Sequence, residues 1–182
     1  STAGPNDPLF HFGTTYNYTL SKSITFYLEQ GMQPSQLILG LPYYGREWPV
    51  SQTTIPAPAT ANGTSRTFAY IKNNSTGFYT SANRNHDDES VSTYFTFNNA
   101  GTRQCFISLE YDLGKRMDLI NQRGIGGMGI WALGYDDGYN ELWNEIENHF
   151  TDCAVSECSD TLFDIGGGIF KNYYDDENYT FT

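Results

Sequence analysis

Basic residues are scarce in this chain: its 182 residues hold ten Lys and Arg against 21 Asp and Glu, a formal net charge of −11. A surface of that sign repels phosphates, which argues against nucleic acid and anionic membranes as partners. Long apolar runs are also missing, and none approaches the length of a membrane span. No signal peptide opens the chain, which carries no weight if these residues begin inside a longer protein, as expected here. Cysteine is sparse, with three in all, and no Cys/His spacing suggests a zinc site, so neither metal nor cofactor is expected. Cys105 lies in the apolar run Gln-Cys-Phe-Ile and reads as a buried thiol, whereas Cys153 and Cys158 could close a small disulfide loop in a secreted protein.

What the chain has in quantity is aromatic side chains and polar loops. There are 14 Tyr, 12 Phe and 3 Trp. Most are core or sheet surface, but an excess of Tyr in an acidic protein also suits a sugar cleft. There the ring stacks on pyranose C–H faces while the hydroxyl keeps a polar contact. Asn-x-Ser/Thr sequons at Asn17, Asn62, Asn73, Asn74 and Asn178 are compatible with secretion, although Asn-rich loops produce such triplets by chance.

Periodicity orders the chain. Residues 1–20 read as a loop. A short amphipathic helix over 21–31 follows, with Ser21 as cap and Ile24, Tyr27 and Leu28 on one face. Residues 36–44 form a continuous apolar strand of the kind buried on both faces. Residues 47–107 change character, rich in Thr, Ser, Asn and Tyr. They read as an inserted antiparallel subdomain with strands at Thr67–Lys72, Thr93–Asn98 and Arg103–Ile107. A helix is predicted over 108–123 from Leu109, Leu113, Met117 and Ile120, stopped by Gly124. A strand over 125–134 and a helix near 140–150, with Leu142, Trp143 and Ile146 buried, complete the pattern.

Helices alternating with apolar strands imply a parallel sheet. The expected fold class is α/β: part of a (β/α)8 barrel carrying an α+β insertion. Residues 1–150 would be the barrel part, 151–159 a linker, and 160–182 the start of a second, β-rich domain.

The run Gly124-Ile-Gly-Gly-Met-Gly-Ile-Trp131-Ala-Leu-Gly-Tyr-Asp-Asp-Gly138 is the most informative stretch. Side chains alternate faces along a strand. One face carries Met128, Ile130 and Ala132. The other carries Gly127, Gly129, Trp131 and Leu133, with the glycines leaving space beneath the Trp. In the earlier strand, Leu37, Leu39, Leu41 and Tyr43 share one face, and Ile38, Gly40, Pro42, Tyr44 and Arg46 the other. Trp131, Tyr44 and Arg46 therefore fall at the carboxyl ends of the strands, where barrel active sites lie. Each also has a plain structural reading: Trp131 as core, Arg46 as the partner of an acidic loop, and Asp136 and Asp137 as a turn and helix cap.

The paired motifs Ile38-Leu-Gly-Leu-Pro-Tyr-Tyr-Gly-Arg46 and Gly124–Trp131, in this order around an insertion, resemble the seventh and eighth barrel strands of glycoside hydrolase family 18, the chitinase family. Gly4-Pro-Asn-Asp-Pro-Leu9 resembles the loop after its sixth strand. The resemblance covers roughly residues 3–150, looks most like bacterial members, and leaves a tail that faintly resembles the start of a CUB-like domain.

It implies a secreted hydrolase acting on chitin or another N-acetylglucosamine oligosaccharide, with Trp131, Tyr44 and Arg46 as substrate-binding residues. It also implies retention assisted by the substrate's own acetamido group. The family's Asp-x-x-Asp-x-Asp-x-Glu motif does not occur here, so no catalytic residue is assigned in this chain. The general acid and the upstream half of the barrel are expected elsewhere. A non-catalytic carbohydrate-binding relative, a peptidoglycan-acting relative, and an unrelated barrel with Trp131 as core are the alternatives.

Overall fold

The computed structural model describes residues 1–14 and 17–150, together with the backbone of 163–166 and 169–171. The expected Cys153–Cys158 loop, the linker, the Asn178 sequon and most of the CUB-like tail lie outside the described residues.

The short strand β1 (Thr2–Ala3) precedes helix α1 (Leu20–Glu29). The cap of α1 is Thr19, whose hydroxyl accepts from the Lys22 amide. The predicted cap Ser21 instead lies inside the helix and is buried. The earlier start is the better one because Thr19 has extended backbone and sets its side-chain oxygen over the first turn. Only Ile24 of the predicted face is fully buried, and Tyr27 is exposed.

A 3-10 turn (Pro34–Gln36) leads into β2 (Ile38–Pro42), which pairs in parallel with β9 (Gly127–Trp131). The register sets Gly40 beside Gly129 and Pro42 beside Trp131. Leu39, Leu41 and Tyr43 pack into the main core, while Ile38 on the opposite face is exposed. The expectation of burial on both faces is thus met on one face only, because among the described residues nothing covers Ile38 on the second.

Between β2 and β9 the chain builds a five-stranded antiparallel sheet. In chain order it comprises β3 (Tyr44–Pro49), β5 (Thr64–Thr67), β6 (Arg84–Asp87), β7 (Ser92–Asn98) and β8 (Thr102–Ile107), arranged β5-β3-β8-β7-β6. The two-residue β4 (Ala57–Pro58) pairs with β1. The sheet starts at Tyr44, and Gly45 is needed there: a Cβ would lie 2.2 Å from the Phe106 carbonyl oxygen on β8.

The predicted strand Thr67–Lys72 is instead the end of β5 followed by helix α2 (Phe68–Asn73), capped by the Thr67 hydroxyl. Phe68 and Ile71, three apart, are the buried pair, a helical spacing that a period-two reading misses.

Helix α3 (Glu110–Arg123) ends on Gly124 at φ 59°, the left-handed position that glycine tolerates. Helix α4 (Glu141–Phe150) buries Leu142 but leaves Trp143 exposed, contrary to expectation. Lys72 at the end of α2 joins Glu110 at 2.9 Å and Glu141 at 2.7 Å, tying α2 to α3 and α4. A final antiparallel pair is formed by β10 (Phe163–Gly166) and β11 (Ile169–Lys171).

Two ionic networks, one around the buried Glu47 and one around the partly exposed His86, hold the sheet and its neighbours together. Glu47 on β3, 3 % exposed, accepts from Arg66 Nε and from the Tyr79 hydroxyl, each at 2.7 Å. Burial works against its ionisation, but these hydrogen bonds and the charges of Arg66 and Arg103 outweigh that. The carboxyl is therefore held below its ordinary value of 4.5.

His86 on β6 bridges Asp88 at 2.7 Å and Asp112 at 3.0 Å. Burial opposes its charging, yet bonding to Asp112 and Asp88 raises it above 6.5. The signs give a window. Glu47, lowered in the fold, contributes stability above about pH 4.5 that is lost as pH falls through its folded value. His86, raised in the fold, contributes stability below about pH 6.5 that is lost as pH rises through its folded value. Thermal unfolding across pH is expected to show both flanks. Glu47→Gln should flatten the acid flank and His86→Gln the alkaline one; an unaltered profile in either variant refutes its assignment.

Candidate functional site

The register of β2 and β9 positions the site residues. Trp131 ends β9, and its carbonyl accepts from the Tyr43 amide at 2.8 Å. Tyr43 is fully buried, so its backbone is a fixed anchor between the Trp and Tyr44. The Trp131 side chain is 67 % exposed and the neighbouring Leu133 71 %, so Trp131 is not core in this chain. On the same side as Trp131, a Cβ at Gly40 would meet nothing within 4 Å and one at Gly129 only Ile38, at 3.7 Å. Trp131 is thus an exposed ring on the strand face that also carries the two open glycine positions.

Tyr44 lies at the start of β3, not at the end of the parallel strand, and meets Tyr135 edge to face at 6.1 Å. The Asn6 side-chain amide donates to its carbonyl at 3.3 Å. Arg46 also sits on β3, its guanidinium carbon 5.1 Å from the centre of the Trp48 ring. Its Nε is buried without a hydrogen-bond partner among the described residues. The structure thus joins Trp131 to Tyr43, the residue before Tyr44, and places Arg46 two residues further on the antiparallel sheet, half-buried against Trp48.

Asp136 and Asp137 part company. Asp137 is exposed, while Asp136 is 4 % exposed, its Oδ2 without a hydrogen-bond partner among the described residues. The expected helix-cap role does not hold for Asp136. The first helical bond of α4 runs from the Asn144 amide to the Asn140 carbonyl, which puts the cap at Asn140. The buried Asp136 carboxylate acts on Tyr43 instead: burial first, and then that negative charge, push the Tyr43 hydroxyl up to about 12. Among the described residues no group of His, Cys, Asp and Glu could hold a metal ion.

Sequence reasoning missed Tyr135, Trp48 and Asn6 as neighbours of the site. Tyr135 and Asn6 sit in irregular segments, where no periodicity reports direction. Trp48 could have been found, since it shares a strand face with Arg46 two residues away.

Residues 1–136 match the sequence profile of the glycosyl hydrolases family 18. The chain belongs to this family. Chitotriosidase-1 of Mus musculus is 28 % identical over 154 residues, covering 79 % of this chain and 32 % of the mouse protein. Among solved structures, the chitinase-like agglutinin of Robinia pseudoacacia superposes with a TM-score of 0.65 at 26 % identity, covering 80 % of this chain and 41 % of the agglutinin. A family 18 chitinase of Cycas revoluta, solved with (GlcNAc)4, superposes with a TM-score of 0.71 at 23 % identity over 81 % of this chain and 42 % of the enzyme, a likeness of fold.

The chain spans about a third of the mouse relative and about two fifths of the two plant proteins. Its solved neighbours are TIM-barrel-like, and it is a partial piece of mixed α/β content. The three relatives named are from an animal and two plants, so these matches give no support to the likeness to bacterial members.

Proposed function

We propose that the parent protein is a chitinase-type glycosidase and that this chain supplies one wall and part of the floor of its sugar cleft. The observation that carries this reading is Trp131. A family 18 chain holds a large ring two-thirds exposed at the carboxyl end of a barrel-type strand, on the face that also carries open glycine positions. Such a ring gives a pyranose a flat, dry face. Tyr44 and Arg46 then contact the sugar beside it, the first through ring and hydroxyl and the second as a hydrogen-bond donor.

The substrate class is an N-acetylglucosamine oligomer, cleaved with retention by its own acetamido oxygen. The general acid is supplied by a part of the parent outside these 182 residues, together with the strands that complete the barrel. The sequons favour a secreted protein. The likeness to an agglutinin at 26 % identity favours, as a second reading, a lectin on the same scaffold.

The full-length parent tests the reading. Chitin oligomers are expected to bind in calorimetry and to be cleaved, while murein fragments are not. Binding without cleavage selects the lectin, cleavage of murein alone selects a peptidoglycan-acting enzyme, and no binding refutes the cleft. Tyr44→Ala is expected to weaken oligomer binding by ~0.5–1.5 kcal/mol, the worth of one aromatic contact. Unchanged affinity would remove Tyr44 from the site.

A further inference from the structure

Four of the five sequons lie in described residues, and the structure separates them sharply. At Asn17, the side-chain oxygen accepts from Lys22 Nζ at 3.0 Å. The hydroxyl of its sequon Thr19 is buried and taken up by the first turn of α1. At Asn73, the last residue of α2, the side-chain oxygen accepts from the Tyr139 hydroxyl at 2.7 Å. At Asn74 the side-chain nitrogen itself donates to the Tyr70 carbonyl at 2.7 Å. Asn62 differs from all three. It is exposed, lies in an irregular segment, and makes no side-chain hydrogen bond among the described residues. Its sequon Thr64 is exposed too, at the start of β5.

We propose that Asn62 is the N-glycosylation site of this protein. In the transfer, Asn62 Nδ2 bonds to the anomeric carbon of a lipid-pyrophosphate-linked oligosaccharide. The anomeric carbon–oxygen bond breaks, the lipid pyrophosphate leaves with the electron pair, and one amide proton is lost to the transferase. A sugar on Nδ2 leaves the Oδ1 contacts of Asn17 and Asn73 chemically intact, but those contacts hold the two side chains against Lys22 and Tyr139, whereas Asn62 is exposed and makes no such contact among the described residues. A sugar on Asn74 would disturb the end of α2, and one on Asn17 would crowd the start of α1.

The anchor is also held firmly. Gly63 packs so closely on β3 that a Cβ there would lie 2.7 Å from Trp48 Cδ2 and 2.9 Å from Arg46 Cγ. That contact fixes the backbone and leaves Asn62 facing outward. The position carries a consequence for solubility. β5 is an edge strand of the five-stranded sheet, and a bulky hydrophilic group at its entry hinders another strand from pairing there. None of this depends on the sugar-cleft reading.

The full-length parent, secreted from eukaryotic cells, is digested, treated with peptide N-glycosidase in heavy-oxygen water and analysed by mass spectrometry. The Asn62 peptide is expected to convert to heavy-labelled Asp, with occupancy above that at Asn17, Asn73 and Asn74. Thr64→Ala should abolish the label at Asn62, and Thr64→Ser should retain it. An unlabelled Asn62 peptide, whatever the state of the other three sites, overturns the proposal. So does a label that survives Thr64→Ala.

Discussion

Replacing Arg116 by Met is expected to cost ~3–5 kcal/mol of folding free energy, because it strands a buried carboxylate. Arg116, on α3, is fully buried, and its Nε donates to Asp7 Oδ2 at 2.6 Å. The two terminal nitrogens donate to the carbonyls of Asp7, Val91 and Asp112 at 2.6, 2.9 and 2.8 Å. One side chain thus fastens the N-terminal loop and the turn before β7 to a single helix. Asp7 is 6 % exposed, and burial already pushes its carboxyl up against the opposing pull of Arg116 and Ser108. Without the guanidinium, the Ser108 hydroxyl remains, sharing its one proton between the two Asp7 oxygens at 3.0 Å each.

Urea unfolding of the full-length parent should show a lower midpoint at unchanged slope. Asp7→Asn combined with Arg116→Met should recover part of the loss, since no charge is then left buried. An unchanged midpoint in the single variant would mean that the pair contributes nothing to the fold.

Trp131→Ala in the full-length parent is expected to weaken binding of N-acetylglucosamine oligomers by ~1–3 kcal/mol. That corresponds to roughly five- to 150-fold in affinity. The ring is already two-thirds exposed and belongs to no core cluster, so its removal should leave the unfolding midpoint nearly unaltered. The two readouts together are decisive. Lost affinity with retained stability places the ring under the sugar. Retained affinity removes Trp131 from the site, and a large loss of stability would mean that it packs against the completing part of the barrel.

Much of this was legible without coordinates. The glycine-rich strand ending in Trp131 could be read because strand parity is rigid: placing one side chain fixes the faces of its neighbours. Gly124 announced the end of α3 because few residues accept φ near +60°. Errors arose where two local codes compete. Thr67–Lys72 looks like a strand by alternation but turns into α2 once the Thr67 hydroxyl caps it. Ser21 and Thr19 are both fair caps, and the geometry of the incoming chain chose between them. Trp143 lies on the apolar side of α4 by pattern yet remains exposed, because periodicity marks a face without showing what covers it.

The sequence by itself determined the family, the alternation of helices with apolar strands, and the faces of the two parallel strands. These follow from residue order and from periods set by backbone geometry. Only the tertiary structure decided that Tyr44 and Arg46 stand on an antiparallel sheet, that Asp136 is buried beside Tyr43, and that Asn62 alone among the described sequons is unengaged. Those facts depend on which distant segments meet. Arg116 reaches Asp7 across more than a hundred residues of chain, and no local pattern records that distance.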